Sequence, residues 1–298
     1  MIGKSVFVWG IDYPYWTAEK IAAELAAKGY ESAILHDTSV WNWRSGELSA
    51  PRLRLIKLLK AAGIEIYGCA AVYGNDSVAE GRIAAELCEQ YNLQGFIFDA
   101  EGAWDNKDTP NSNAVKLLRK FREGTQVLSG WCYWSFWASK TGTSYATRDG
   151  GKVSRKDVIW AATAKNYGEC DFVAPMMYWD PGTDAASAVE YLEKSWKQYR
   201  QITDKPIVPI GRAYNGNGGT ATAEACTAFD KRARELGATG QAWWALQYAV
   251  KIPGVYEAIS AVSRFGDEQE PTPEPEPEPE LTDKQKLDIL WKEYEDKQ

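Results

Sequence analysis

The chain has 298 residues, 45% of them hydrophobic, enough for a full core and for one large domain or two small ones. A net charge of -7 and a pI near 5.1 argue against a nucleic-acid partner or an anionic membrane surface, since both need basic patches. Five widely spaced cysteines, one histidine and no CxxC spacing argue against zinc, so free buried thiols and neither metal nor cofactor are expected.

Short apolar strands alternate with helical patterns from the start. SVFVWGID at 5–12 reads as a strand, and TAEKIAAELAAKGY at 17–30 as a helix capped by Thr17 and ended by Gly29. Strands at 32–38, 65–74 and 95–102 follow, each leading into a helix, at 50–63, 77–92 and 111–124. The second half repeats the pattern, with strands at 127–136, 172–179, 206–214 and 240–249 and helices at 154–168, 184–202, 222–237 and 253–266. Eight strand–helix units in about 250 residues predict a (β/α)₈ TIM barrel, an α/β fold, over 1–266. A doubly wound sheet that binds a nucleotide would carry GxGxxG after its first strand, where this chain has WGIDYPYW.

Beyond the barrel, residues 267–280, DEQEPTPEPEPEPE, alternate Pro with Glu and predict a stiff, solvated linker. In 281–298, Leu287, Leu290, Trp291 and Tyr294 fall on one stripe of an amphipathic C-terminal helix. Such a short helix is marginal alone, so self-association or docking on a partner protein is expected to cover the stripe. No run of about 20 apolar residues offers a membrane span. MIGKSVFVWG lacks the features of a signal peptide, so synthesis in the cytoplasm is expected, with any outside action reached without a leader.

In a TIM barrel the chemistry sits at the C-terminal ends of the strands. In GFIFDAEGAW, 95–104, alternation puts Ile97, Asp99 and Glu101 on one side and Phe96, Phe98 and Ala100 on the other. The large apolar set must face the helices, which turns the acids into the barrel mouth. Neighbours on one face stand about 6.6 Å apart along the strand, close enough for one carboxylate to hold the other protonated. That is the pattern of a general acid with a charged partner. Trp and Tyr, 14 and 16 against 8 Phe, add aromatic faces with polar handles that suit sugar rings.

FDAEG resembles the strand-four acid motif of two groups of barrel glycosidases: the family 25 lysozymes, with D-x-E, and the family 18 chitinases, with DGxDxDxE. GID at 10–12 is similar to the first-strand Asp of the lysozymes. MMYW at 176–179 resembles the M-x-Y-D of the chitinases, and QAWWALQY at 241–248 their Trp-bearing eighth strand. The chitinase motif's first two acids are Gln94 and Ile97 here, and Trp179 stands at its strand-six Asp, with Asp180 following.

The resemblance implies a glycoside hydrolase acting with retention on an N-acetylhexosamine polymer such as peptidoglycan or chitin. Glu101 would be general acid and base. Asp99 would orient a substrate acetamido group that attacks the anomeric carbon, and Tyr178 would hydrogen-bond that group. Asp12 and Asp180 are auxiliary candidates, to position water or, in a version that needs no acetamido group, to act as covalent nucleophile. The remaining strand ends predict a carbohydrate-binding surface. It comprises Trp9 and Tyr13, His36 and Asp37, Tyr73 and Asn75, Trp131 and Trp134, Trp179, Arg212 and Tyr214, and Trp243 with Gln247. Asp37 is placed to hold the neighbouring His36 charged. A leaderless barrel with a stalk and a terminal helix also suits a phage or phage-like particle. The alternative is a non-catalytic glycan-binding or structural subunit built on the same barrel.

Overall fold

Eight parallel strands close into a barrel in the computed structural model, which describes residues 2–9, 16–45, 49–101, 104, 112–134, 162–163, 170–179, 184–216 and 219–265, with the backbone alone at 44, 45 and 134. The strands are Gly3–Val8, Ser32–Asp37, Glu65–Ala71, Gly95–Asp99, Leu128–Trp134, Phe172–Met176, Ile210–Arg212 and Gly240–Trp244. Each pairs with its sequence neighbours, and the eighth returns to the first with Gly3 opposite Gly240 and Ser5 opposite Ala242. The linker at 267–280, the helix at 281–298 and most of the helix at 154–168 lie outside the described residues.

Local chemistry sets the helix starts. Thr17, Asp76, Asp184 and Thr222 accept from the backbone amides of Lys20, Ala79, Ser187 and Ala225, and so satisfy donors that a first helical turn leaves open. Pro51 sits at the start of the helix Ala50–Ala61, where its missing N–H is no loss. A short helix, Val40–Ser45, follows the second strand where the sequence pattern shows none; its entry is fixed by Ser39, whose hydroxyl accepts from Asn42 N at 3.2 Å.

Two predicted strands are cut short. The stretch 206–214 joins its neighbours regularly only over Ile210–Arg212, because Pro206 and Pro209 have no N–H for the ladder. Their carbonyls still accept, from Val173 N at 2.9 Å and Ala242 N at 3.1 Å. The predicted strand 240–249 stops at Trp244, and Leu246–Ala249 turn into a short helix.

Alternation divides the core into two. Outside the strands, Val6, Leu35, Ile66, Phe96, Phe98, Trp131, Val173 and Trp243 pack against the helices. Inside, Phe7, Ile34, Tyr67, Ile97, Phe172, Met176 and Ile210 fill the barrel. The fourth strand follows the expected division, with Ile97 inward and Phe96 and Phe98 outward.

All five cysteines are free and buried. Burial raises every one of these thiols above its ordinary ionisation range near 9, Cys170 and Cys226 to about 12. A thiol that keeps its proton longer in the native state than in the unfolded chain stabilises below pH 9, and that stabilisation is lost as the unfolded thiols ionise. Lys4 works the other way. Burial lowers it from 10.5 to about 8, so the unfolded chain holds its proton longer and stability rises from pH 8 to 10.5. Five protons outweigh one, each acting at about 1.4 kcal/mol per pH unit. The melting temperature, measured with a reductant present, is expected to be level between pH 7.5 and 8.5 and to fall steeply above pH 9. A melting temperature still level at pH 10 would contradict this burial of the thiols.

Candidate active site

The inward faces of the strands converge on a cavity of about 440 Å³ at their C-terminal ends. The ladder places the acids. Asp99 pairs with Ala71 on the third strand and Cys132 on the fifth, its carbonyl accepts from Val72 N, and Ala100 N continues to the Cys132 carbonyl at 3.0 Å. Held from both sides, the strand presents Asp99, 8% exposed, and Glu101 to the cavity. Outside it, the Trp104 indole donates to Val72 O at 2.7 Å and its amide to Glu101 O at 2.7 Å. Among the described residues that line the cavity, Asp99 and Glu101 are the only carboxylates.

His36 reaches Asp99 from the second strand, Nε2 to Oδ2 at 3.3 Å. This corrects the expected partnership with Asp37. That carboxylate is engaged by Arg52, whose second nitrogen donates to His36 O at 3.1 Å. Cys69 and Cys132 line the cavity beside the acids, and Tyr178 lines it from just past the end of the sixth strand, edge-on to Tyr214 with ring centres 5.5 Å apart. Burial first, and then Cys132, Tyr214, Asp99 and Glu101, push the Tyr178 hydroxyl well above the ordinary phenol range, so it stays a proton donor at any working pH.

Trp244 forms an aromatic wall. Its ring meets Phe7 edge-on at 5.1 Å and His36 at 4.9 Å, and stacks with Trp9 at 6.2 Å. The peptide bond from Trp244 to Ala245 is cis. Tyr248 adds its ring 6.4 Å from Tyr214.

The structure thus gathers Asp99, Glu101, Tyr178, His36 and Tyr214 around one cavity, with Trp9 beside it, 36% exposed. Other expected surface residues lie elsewhere. Trp131, Trp179 and Trp243 are buried in the helix-facing layer, the first against Trp104 and the others against Phe229. Tyr73 and Asn75 are exposed on the rim after the third strand, where Tyr73 donates to Thr38 O at 3.2 Å. Gln247 is buried and accepts from Trp9 N at 3.4 Å. Asp12, Tyr13, Asp180 and the Trp134 side chain lie outside the described residues.

Arg212 is fully buried and turned to the main chain. It donates to Trp179 O at 2.7 Å, to Tyr214 O at 3.4 Å and to the carbonyls of Gly216 and Gly219. It thereby fixes a small ribbon, Asn215–Gly216 against Gly219–Thr220, beside the cavity, which Asn215 and Gly216 help to line.

Sequence reasoning did not single out Phe7, Cys69, Cys132, Ile210 or Tyr248 for the cavity. Alternation would have found the first four, since each shares an inward face with a residue already placed. Tyr248 lies past the end of its strand and gave no such signal. No group of three His, Cys, Asp or Glu among the described residues is placed to hold a metal ion.

The likeness to solved structures is one of fold. A family 18 chitinase from Pseudoalteromonas aurantia superposes with a TM-score of 0.61 at 12% identity, over 87% of this chain and 99% of that one. The spore cortex-lytic enzyme SleL of Bacillus megaterium QM B1551 gives 0.57 at 14% identity, over 87% and 73%. An endo-1,4-beta-D-mannanase from Thermotoga petrophila RKU-1 gives 0.58 at 11% identity, over 82% and 88%. No protein-family model and no curated protein matches the sequence.

Replacing Arg212 by Met leaves several buried carbonyls without their donor, each at about 1–3 kcal/mol. The variant is expected to lose about 3 kcal/mol or more of stability, and Arg212→Lys, with one compact ammonium, to recover only part. Denaturant melts check this, and an Arg212→Met protein as stable as the parent would show that water replaces the guanidinium.

Proposed function

We propose that the cavity hydrolyses the glycosidic bond of an N-acetylhexosamine in a polymer such as chitin or peptidoglycan, with retention of configuration. The observation that carries this reading is the pair Asp99 and Glu101 lining one cavity with Tyr178, whose hydroxyl is held protonated two strands away, and no third carboxylate among the described residues of that lining.

That set favours a nucleophile supplied by the substrate. An inverting pair must stand about 6.5–9.5 Å apart across the sugar to admit water, and a protein nucleophile needs a carboxylate on the opposite face of the ring. Asp99 ends the fourth strand and Glu101 follows two residues on, so the two acids approach from the same side. In the proposed step the acetamido oxygen bonds to the anomeric carbon as that carbon's bond to the leaving oxygen breaks, while Asp12 and Asp180, outside the described residues, are the alternative nucleophiles.

Glu101 gives its proton to the leaving oxygen. Asp99 accepts from the acetamido N–H and offsets the charge that grows on the resulting oxazolinium ring. Tyr178 O–H donates to the acetamido oxygen and holds it at the anomeric carbon. Water then enters from the vacated side, Glu101 takes its proton, and the ring opens to the original anomer. Trp244 offers an apolar face to the sugar. The known activities of the chitinase and of SleL, both carried on this fold, make chitin oligomers and peptidoglycan the substrates to try first.

On these substrates the wild-type chain is expected to release product of unchanged anomeric configuration, read by NMR during the first turnovers. Glu101→Gln should cut kcat on the order of a thousandfold and Asp99→Asn about a hundredfold, within the range for proton-transfer groups. Cleavage of a glucan or de-N-acetylated chitin at a similar rate would sink the substrate-assisted route. Binding without turnover of every glycan tried would make the barrel a lectin-like module instead.

A further inference from the structure

The contact between His36 and Asp99 has a feature that packing alone does not explain. Both side chains are buried, they meet through one atom each, and each keeps a second polar atom, His36 Nδ1 and Asp99 Oδ1, buried with no partner. Buried polar atoms are normally paired, so two orphans in one contact between cavity-lining residues call for an explanation.

The surroundings decide which group His36 serves. Beside it on the third strand is Cys69, and around the ring stand Phe7 and Trp244, none of them charged. The acid next to it in sequence, Asp37, is taken by Arg52, which also ties down the His36 carbonyl. Asp99 has the complementary need. The inward position beneath it on its own strand is Ile97, which offers no donor, and of its strand partners Ala71 offers none and Cys132 only a weak thiol donor. His36 is the only basic side chain among the described residues that line the cavity.

We infer that His36 is a positioning residue for Asp99. Its Nε2–H donates to Oδ2, fixes the carboxylate plane and leaves Oδ1 aimed for the substrate, while Nδ1 carries the lone pair. The backbone of His36 is held by Arg52 and its ring by the edge of Trp244, so the donor is rigid. Arg52, outside the cavity, thus reaches the acid pair through one imidazole. The inference rests on the glycosidase reading for its kinetic consequence but not for the contact itself.

The chain holds a single histidine, so one imidazole supplies the whole signal in a ¹⁵N-labelled sample. Long-range ¹H–¹⁵N correlation above pH 8 is expected to show the Nε2–H tautomer. Asp99→Ala should erase that preference and move both ring nitrogens. An Nδ1–H tautomer in the wild type, or ring shifts unaltered by Asp99→Ala, would overturn the assignment.

The kinetic arm compares two substitutions of similar bulk. His36→Gln keeps an N–H that can reach Asp99, whereas His36→Leu fills the space without one. His36→Leu is expected to lower kcat about a hundredfold, the scale of a misplaced catalytic group, with KM within about threefold, and His36→Gln to stay within about tenfold of the parent. Equal rates in the two variants would reduce His36 to a packing residue. Absence of activity in every protein would count against the glycosidase reading, and the tautomer measurement would still decide the role of His36.

Discussion

Gly3 lies opposite Gly240, and with that pairing eight strands become a closed surface with an inside and an outside. Closure leaves no edge strand. Every side chain of the barrel wall must then point either to the helices or to a lumen that has to be filled. Phe7, Ile34, Tyr67, Ile97 and Phe172 fill it from below. At the last inward positions, where Asp99 and Glu101 arrive, the filling ends and the cavity begins. The site is what the barrel wall presents when its packing runs out.

The acids sit among neutral proton carriers. Cys69, Cys132 and Tyr178 all hold their protons through the physiological range because burial penalises their anions. Arg212, the strongest cation nearby in sequence to the cavity wall, spends its donors on loop carbonyls. Among the described residues that line the cavity, the imidazole of His36 is the only basic group that meets the acids. Such a pocket favours a neutral or cationic reacting group over an anionic one, which agrees with chemistry that builds positive charge at a sugar carbon.

Period-two alternation made the fourth strand legible, because its apolar residues are large and adjacent and its acids can face only one way. The same rule applied to strand eight gives the inward choice as Trp244, next to the small Ala242, and sends Trp243 to the helices. The expectation of Trp243 at the binding surface goes against that rule, and the structure puts Trp244 there instead. Arg212 shows another limit. Its residue type suggests ligand binding, but its task depends on carbonyls at Trp179, Gly216 and Gly219 that the chain brings together only on folding. Asp37 is taken from His36 by Arg52, fifteen positions downstream in a different element, and no local pattern foretells such a partner. The short seventh strand was readable in principle, since Pro206 and Pro209 announce the missing donors.

Those prolines have a mechanical consequence. The sixth and seventh strands are joined by one ladder pair, Met176 with Ile210, and an isolated bridge from Val173 to Ile207, while the second and third pair continuously from Ser32 with Glu65 to Asp37 with Ala70. The barrel wall is a hoop of uneven stiffness, with its thinnest seam directly below Tyr178 and Tyr214. Breathing concentrates where ladder bonds are fewest. The sparsely laddered side of the mouth is thus the one that carries the phenol, and the densely laddered side is the one that carries His36 and Asp99.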